Sequence, residues 1–587
     1  MSARETADPP DDAGLRVPLM PQGIPGIPLG RLDGPDPVRR IEGLALDDTA
    51  VLERARVMIA RMAAMHLCGS AACDPDRTPP AAGHVLVADQ RPGLAPASAL
   101  REMLAVARIE NPAARILVLP PDAGPGTLPD ALPEGVERSD PSLSPWALCE
   151  GATAVYARDA EAGLVAILAG HRPRLFGAPL WSGWGLSLDE DAPARRRRLT
   201  RAQLIAALMI DLARWHDPVR GRDAAPEEAL DQAEAALRAW RDDRDGYVAI
   251  GMARWKRRHL RQFFGTRKPL VFAASAGRAS AALAEGRRAL VWGDAPAAQG
   301  LGVLRVEDGF LRSRGLGADL VPPLSLVLDD LGLATVPARE SRLERLIAAG
   351  PPPGGEDRAR RLIARLVRDG LTKYGPAGSR AMPELPPGRR VLVIGQVEDD
   401  AALRHAVGAE RSNAALLDRA RREHPEAVIL WRAHPDVAAG LRPGATDSRG
   451  WADVDLTGVP SAAAIAAADE VLTIASTMGF EALLRGVPVT CLGAPFYAGW
   501  GLTRDLGPVP ARRTARPSLA ALAHAVLIAY PRYRDPVSGL PCTAETAAER
   551  LASDTLPAAP AGLRLLSRMQ RLARPLAPLW RTAQARQ

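Results

Sequence analysis

The 587-residue chain is 47% hydrophobic and 24% charged, with a formal net charge of +7. That is the balance of a soluble globular protein long enough for more than one domain, and so modest a charge gives no argument for nucleic acid. Its five cysteines (Cys68, Cys73, Cys149, Cys491 and Cys542) are irregularly spaced with no CxxC pair, which speaks against a disulfide framework or zinc site and fits a reducing cytoplasm.

Residues 1–45 are rich in Pro and Gly with little periodicity and read as an irregular segment. The acidic, proline-bearing start MSARETADPPDDAG is not that of a secretory signal, and no apolar run reaches the length of a membrane span. Asp47 to Leu67 opens with acids and then repeats apolar residues at helical spacing, which predicts a helix. His84 to Ala88 and Ile116 to Leu119 read as buried strands, with a helix over Pro96 to Arg108 between them.

An internal repeat follows. Ala178 to Leu186 reads APLWSGWGL and Ala494 to Leu502 reads APFYAGWGL. Each is followed by arginines, an alanine-rich helical stretch, and then Trp215-His216-Asp217-Pro218 or Tyr533-Arg534-Asp535-Pro536. Upstream, His84-Val-Leu-Val matches Arg390-Val-Leu-Val. Several matches in one order at near-constant offset make 84–220 and 390–540 two copies of one half-domain.

The second copy has a partner. Residues 245–335 alternate strand and helix patterns (Leu270-Val-Phe-Ala, Ala289-Leu-Val-Trp, Leu304-Arg-Val), Glu356 to Leu371 is a charged amphipathic helix, and Lys373 to Pro387 is a proline-rich linker. The expected domains are an irregular 1–45, a partial module over 46–220, a helical linker over 221–244, one lobe plus linker over 245–384, a second lobe over 385–545 and a basic amphipathic tail over 546–587. The fold class expected is α/β: two modules of Rossmann-like lobes, the first incomplete, the second complete and two-lobed. Ligands of such lobes bind beyond the carboxyl ends of the strands.

Four strand ends in the second module carry polar residues. Glu307 and Asp308 follow Val306; Gln396, Glu398, Asp399 and Asp400 follow Val391 to Gly395; Arg432, His434, Pro435 and Asp436 follow Val428 to Trp431; and Ser476-Thr477, with Glu481 one helical turn on, follow Val471 to Ile474. A helix N-terminus carrying hydroxyls suits phosphate, and an arginine beside it suits a nucleotide. Carboxylates across a cleft suit attack on a sugar-like carbon, as nucleophile and as acid or base. Each group singly also fits a helix cap or a solvated turn; four in one module favour a site.

Four strings are specific: EDGFLRSRGLGADLVPPLSLVLD (Glu307 to Asp329), VLVIGQVEDD (Val391 to Asp400), WRAHPD (Trp431 to Asp436) and STMGFEALLRGVPVTCLGAPFYAGWGLTRD (Ser476 to Asp505). They resemble the capsular polysaccharide β-Kdo transferases of the KpsC type, as does IGMARWKRRHLRQFF (Ile250 to Phe264). The resemblance implies two glycosyltransferase modules of GT-B-like architecture. It implies transfer of Kdo, or a related ulosonic acid, from a CMP-sugar with retention onto a β-Kdo linker on a lipid primer. This would take place on the cytoplasmic side of the inner membrane, within capsule assembly and export, without metal or other cofactor. By motif Asp400 would be the nucleophile, Glu307 and Asp308 the acid/base or acceptor contact, and His434, Pro435, Ser476, Thr477 and Glu481 the CMP contacts, beside Arg432 and Gln396. Expected partners are therefore the CMP-sugar, a glycolipid acceptor, an anionic membrane surface and other capsule assembly and export proteins. Other readings are an impaired assembly scaffold and a transferase of another nucleotide sugar.

Two departures stand out. Ala402 replaces a serine usual in that family. In the first copy Leu94 aligns with Asp400, Pro120 with His434, and Ala160, Glu161 and Val165 with Ser476, Thr477 and Glu481. A leucine cannot attack a sugar and Glu161 would repel phosphate, so 84–220 is expected to be non-catalytic. The tail from Leu563 to Gln587 places Arg564, Arg568 and Arg571 on one helical face and Leu565, Met569 and Leu572 on another, near Trp580, a pattern that fits an anionic leaflet as well as a frayed terminus.

Overall fold

The computed structural model describes residues 15–89, 97–121, 132–191, 193–294, 302–315, 321–375, 380–399, 403, 410–440, 442–553 and 556. Asp400, Ala402, Leu94 and the basic tail with Arg564, Arg568, Arg571 and Trp580 lie outside them. The chain divides into two compact units, Met1–Arg241 and Asp242–Gln587.

In the first unit, β1 (Leu29–Leu32) pairs antiparallel with β8 (Ala213–Asp217), which pairs with β9 (Arg222–Ala224). The stretch read as irregular thus contributes a strand and a short helix, Pro37–Gly43, N-capped by Asp36. Alternation is too brief in Leu29–Leu32 to declare a strand, and its pairing partner lies far along the chain. The predicted helix runs Thr49–Ala64, with the Asp48 carboxylate accepting from Ala50 and Val51 N–H. The main sheet contains β2 (His84–Ala88), β3 (Ile116–Leu119), β4 (Val136–Arg138), β5 (Ala152–Ala157), β6 (Arg174–Leu175) and β7 (Leu188–Asp189) in the order β4-β3-β2-β5-β6-β7, all parallel. Strands β2 and β3 are buried throughout, as their unbroken apolar runs require. The helix Pro226–Asp242, over the expected linker, packs Ala229, Leu230, Ala233 and Leu237 into this unit's core.

The second unit holds two lobes. One is a seven-stranded sheet of β10 (Tyr247–Ile250), β11 (Val271–Ala273), β12 (Arg288–Trp292), β13 (Val303–Asp308), β14 (Ser325–Asp329), β21 (Pro531–Arg534) and β22 (Pro541–Cys542), ordered β11-β10-β12-β13-β14-β21-β22. The other has β15 (Arg390–Ile394), β16 (Val428–Arg432), β17 (Val454–Asp455), β18 (Glu470–Thr473), β19 (Val489–Cys491) and β20 (Arg504–Asp505), ordered β17-β16-β15-β18-β19-β20 and all parallel. Numbered within the lobe this is 3-2-1-4-5-6, the dinucleotide-fold order, with its switch point between β15 and β18. The chain recrosses to the first lobe's sheet at β21, ahead of the boundary expected near 545, because Pro531 to Tyr533 pair antiparallel with β14.

The parallel sheet of the first unit has the same order, and the repeat extends to single hydrogen bonds. Trp184 and Trp500 each donate Nε1–H at 2.8 Å to the carbonyl four residues earlier, Leu180 and Phe496. Gly183 N–H meets Asp189 and Gly499 N–H meets Asp505. Ser187 Oγ and Thr503 Oγ1 each donate at 2.7 Å to the other oxygen of the same aspartate. Arg195 lies 4.9 Å over Trp184 and Arg513 5.7 Å over Trp500, so each arginine belongs to the scaffold of its loop. Each copy also runs an α-helix into a π-helical turn, Ala206–Asp211 and His524–Ala529, that no sequence pattern foretold. The antiparallel set β1-β8-β9 corresponds to β14-β21-β22; no counterpart of the parallel strands β10 to β13 is present among the first unit's described residues.

Candidate active site

Both lobes of the second unit present strand ends to one cavity of about 270 Å³. The seven-stranded sheet contributes Trp292, Glu307, Asp308 and Gly309, the Rossmann-like lobe Ala475, Thr477 and Phe496, and the segment joining them Lys373. Tyr530 and Pro531 close it where the chain recrosses. An aromatic bridge holds the lobes together beneath it. Phe310, two residues after Asp308, stands edge-on to Phe480 with ring centres 5.0 Å apart, and Phe480 contacts Phe496 at 5.5 Å.

Glu307 and Asp308 end β13, and their environments differ. Asp308 Oδ2 accepts from Arg312 Nε at 2.7 Å, while its Oδ1 is buried with no hydrogen-bond partner among the described residues. Glu307 Oε2 accepts from Thr335 Oγ1 at 3.5 Å. Behind them Lys256 Nζ lies 3.1 Å from the centre of the Trp292 ring. Burial pushes its ammonium down to about 7, with Asp308 and Glu307 acting upward and Arg312 downward.

The turn after β18 is built from its own residues. Ser476 N-caps the helix Thr477–Leu484 through Oγ, which accepts from Met478 N–H, and its carbonyl accepts from Tyr497 Oη at 2.5 Å. Gly479 is required there, since a Cβ would collide with the Tyr497 hydroxyl. Gln396, just beyond β15, spans the switch point: its Oε1 accepts from Ala475 N–H at 2.9 Å, and its own backbone is clamped on both sides by Asn413. Gln396 therefore sets the turn that places Thr477 in the cavity wall.

Other expected contacts sit elsewhere. Arg432 is buried under the helix Thr477–Leu484, donating to the Val459 carbonyl at 3.2 and 3.3 Å and to Met478 Sδ at 3.4 Å. Burial, partly offset by Glu481, holds its guanidinium below its ordinary range. Glu481 is 2% exposed and accepts from Lys373 N–H at 2.9 Å. Burial raises its carboxyl, with the Lys373 amide hydrogen bond the chief opposing influence. A carboxyl so buried supports the interlobe segment and does not face solvent. His434 Nδ1 accepts from Asp436 N–H at 3.1 Å, capping the short helix Pro435–Ala438 with Pro435 in its first turn. Of the acids after β15, Glu398 accepts from Asn413 N–H and Asp399 pairs with Arg442 at 2.6 Å. Both are helix-cap or surface groups; Asp400 lies outside the described residues.

So Glu307, Asp308 and Thr477 meet in one cavity, Gln396 and Glu481 brace it, Ser476 caps its turn, and Arg432, His434 and Pro435 are not in its wall. Sequence reasoning missed Lys256, Trp292, Lys373 and Tyr530. Only Lys256 carried a signal, in the Ile250 to Phe264 string.

The corresponding place in the first unit is acidic. Ala160 caps the helix Glu161–Ala169 with no side-chain hydrogen bond. A cavity of about 250 Å³ beside it is lined by Asp89, Pro120, Asp159, Ala160 and Glu161, a wall that repels an anionic phosphate. Among the described residues no His/Cys/Asp/Glu group could hold a metal ion, and no helix is long and apolar enough to cross a membrane.

A Rossmann-like lobe facing a second sheet across a cavity at the switch point, preceded by a copy of the same lobe without the parallel strands of a facing sheet among the described residues, defines an α/β protein of GT-B-like architecture. The chain belongs to the capsule polysaccharide biosynthesis and modification family that includes LipA. The family profile described as "Capsule polysaccharide biosynthesis protein" matches residues 381–533. The capsule polysaccharide modification protein LipA of Neisseria meningitidis serogroup B is 34% identical over 510 residues, covering 81% of this chain and 72% of its own length. The lipopolysaccharide-processing protein LpsZ of Rhizobium meliloti is 45% identical over 237 residues, 39% of this chain and 54% of its own. Among solved structures, Thermosulfurimonas dismutans KpsC, beta Kdo 2,4 transferase, aligns at 31% identity and TM-score 0.47, and the beta Kdo 2,7 transferase of the same organism at 32% and 0.44. Each covers 52% of this chain and 98% of its own.

Proposed function

We propose that the second unit is a retaining glycosyltransferase that moves Kdo, or a related ulosonic acid, from a CMP-sugar onto a β-Kdo linker on a lipid primer in capsule assembly. The observation that carries this reading is one cavity in which Glu307 and Asp308 of one sheet face the Thr477 turn of the other. Family membership supports it, and the solved relatives are named as Kdo transferases.

The reaction is a double displacement. The Asp400 carboxylate attacks the anomeric carbon and CMP departs with the bonding electrons. An acceptor hydroxyl then displaces Asp400 while its proton passes to Glu307, so two inversions give net retention. The residues supply positioning and proton transfer, and no metal takes part. The first unit contributes no second active centre, since its corresponding cavity is acidic.

Intact mass after exposure to CMP-Kdo without acceptor tests the central step. The parent is expected to gain the mass of one sugar and Asp400→Asn none, with product formed by the parent in EDTA once a β-Kdo acceptor is added. Absence of both adduct and product from a folded parent refutes the reading.

The protein works at the cytoplasmic face of the inner membrane as a peripheral protein beside other capsule assembly and export proteins. The six arginines between Leu563 and Gln587 supply the attraction to anionic lipid. Deleting 557–587 is expected to abolish sedimentation with phosphatidylglycerol vesicles at low salt; unchanged sedimentation rejects the attachment.

A further inference from the structure

No aspartate or glutamate occurs between Asp245 and Glu285, while eight lysines and arginines do. Five of these cations fall on the turn Arg254–Lys256 and the helix Arg257–Phe264 that follows it. The helix buries Leu260, Phe263 and Phe264 in the core of its lobe. Its other side faces outward: Arg254, Arg258 and Arg261 are exposed and, at spacings of four and three, form one stripe. Arg257 and Arg261 stack on Phe272 at 5.1 and 4.9 Å, over the edge strand β11. Among the described residues Arg254, Arg258 and Arg261 pair with no carboxylate. That is not the habit of this unit. Arg358, Arg360, Arg365 and Arg368 of the helix Gly355–Arg368 each meet an acid. The stripe also has a fixed origin. Lys256, in the same run, lies on the ring of Trp292, and Trp292 lines the cavity that holds Glu307 and Asp308.

We propose that the stripe of Arg254, Arg258 and Arg261 binds the acidic saccharide chain of the acceptor, behind the sugar whose hydroxyl is extended, an inference that rests on the transferase reading above. A chain of ulosonic acids carries one carboxylate per residue, because the glycosidic bond leaves the carboxyl group untouched. The nucleotide of the donor belongs to the strand ends of the Rossmann-like lobe, so the chain leaves along the other lobe, where the stripe lies. A guanidinium matches a carboxylate with two parallel hydrogen bonds. Arg257 and Arg261, one helical turn apart, repel each other, and an anionic chain laid along them relieves that repulsion. Each exposed pair adds little, so the affinity accumulates with chain length and weakens with salt. A neutral chain gains nothing from these cations, which makes the stripe selective as well as adhesive. A lipid leaflet is also anionic, but a helix that docks on one inserts an apolar face. This helix has its apolar side chains inside the protein.

The full-length protein provides the test, with Arg254, Arg258 and Arg261 all changed to Gln or all to Lys. Should the Gln form not fold, Arg254→Gln with Arg258→Gln leaves Arg261 on Phe272. The probes are fluorescent β-Kdo mono- and trisaccharides, read by anisotropy, beside sedimentation with phosphatidylglycerol vesicles. The parent is expected to bind the trisaccharide about tenfold more tightly than the monosaccharide, a gain that shrinks at raised ionic strength. The Gln form is expected to cut the gain to about threefold or less, and the Lys form to keep most of it. Arg422→Gln with Arg449→Gln, exposed on the other lobe, controls for net charge and is expected to keep it. A parent without the gain, or a folded Gln form that retains it, overturns the assignment. A Gln form that keeps the gain and loses the vesicles gives the stripe to lipid and overturns it equally. A parent that shows the gain yet transfers nothing from CMP-Kdo overturns the transferase reading and leaves the stripe standing.

Discussion

Glu307→Gln is expected to lower kcat for sugar transfer by roughly 10²–10⁴-fold, the range for loss of a positioned acid–base group, with KM for the donor changed little. Glutamine keeps the size and the contact with Thr335 but cannot take a proton from the acceptor hydroxyl. Glu307 is the better acid–base candidate of the adjacent pair because Asp308 is tied at 2.7 Å to Arg312, whereas the Glu307 carboxylate meets the Thr335 hydroxyl at 3.5 Å in the cavity wall. Asp308→Asn therefore serves as the contrast: it weakens an ion pair that orders the Arg312 loop, so its damage is expected in thermal stability and KM as well as kcat. Steady-state kinetics with a synthetic β-Kdo acceptor, beside a melting curve for each variant, separates the two. A Glu307→Gln enzyme within threefold of the parent kcat removes Glu307 from the chemistry.

The second large effect is structural. Arg532 on β21 and Asp243 form a two-pronged pair at 2.7 and 3.1 Å, both side chains less than a tenth exposed, and Arg532 also donates to the Phe263 carbonyl. Burial works against the guanidinium charge, but the charge and hydrogen bonds of Asp243 outweigh it and hold Arg532 above its ordinary range. Asp243→Ala leaves that cation buried without its counter-charge, at an expected cost of about 3–5 kcal/mol. Because β21 is the strand with which the chain returns to the seven-stranded sheet, the loss is expected to unzip that edge. Urea unfolding should show a lowered midpoint, and hydrogen exchange should be fastest over β21 and β22. A midpoint unchanged within error refutes the role assigned to the pair. The double variant Asp243→Leu with Arg532→Met, which removes both charges, is expected to recover much of the loss.

The strands were legible where burial on both faces writes an unbroken apolar run. His84–Ala88 and Ile116–Leu119 fall where the sequence puts them, and the helix expected to start at Asp47 starts at Thr49. The repeat was legible because its loop demands the same tryptophan, glycines and aspartate in each copy. The strand β1, by contrast, owes its place to an antiparallel partner far along the chain, β8, and β14, besides pairing with β13, takes β21 as its other neighbour from equally far away; neither carries alternation strong enough to announce it. The site was half legible. Carboxylates at the end of β13 and hydroxyls after β18 stand out as polar residues after apolar runs, and Glu307, Asp308 and Thr477 line the cavity while Ser476 caps the turn. Arg432 and Glu481 look the same in sequence, yet they turn inward to the Val459 carbonyl and the Lys373 amide. Residue type cannot tell a charge that meets a ligand from one that pins a loop. Lys373 was hidden by its setting, a proline-rich joining segment with no periodicity.

The matched loops around Trp184 and Trp500 reproduce one another bond for bond, although the turns after the corresponding strands of the two lobes differ, Ala160-Glu161 in one and Ser476-Thr477 in the other. The glycine–tryptophan–glycine signature is therefore a mark of ancestry and not of competence. Counting its occurrences in a genome counts descendants of one lobe, whatever residues their strand ends carry. An inventory of active centres has to be taken at the far end of the strands, from the acids after β13 and the amide after β15.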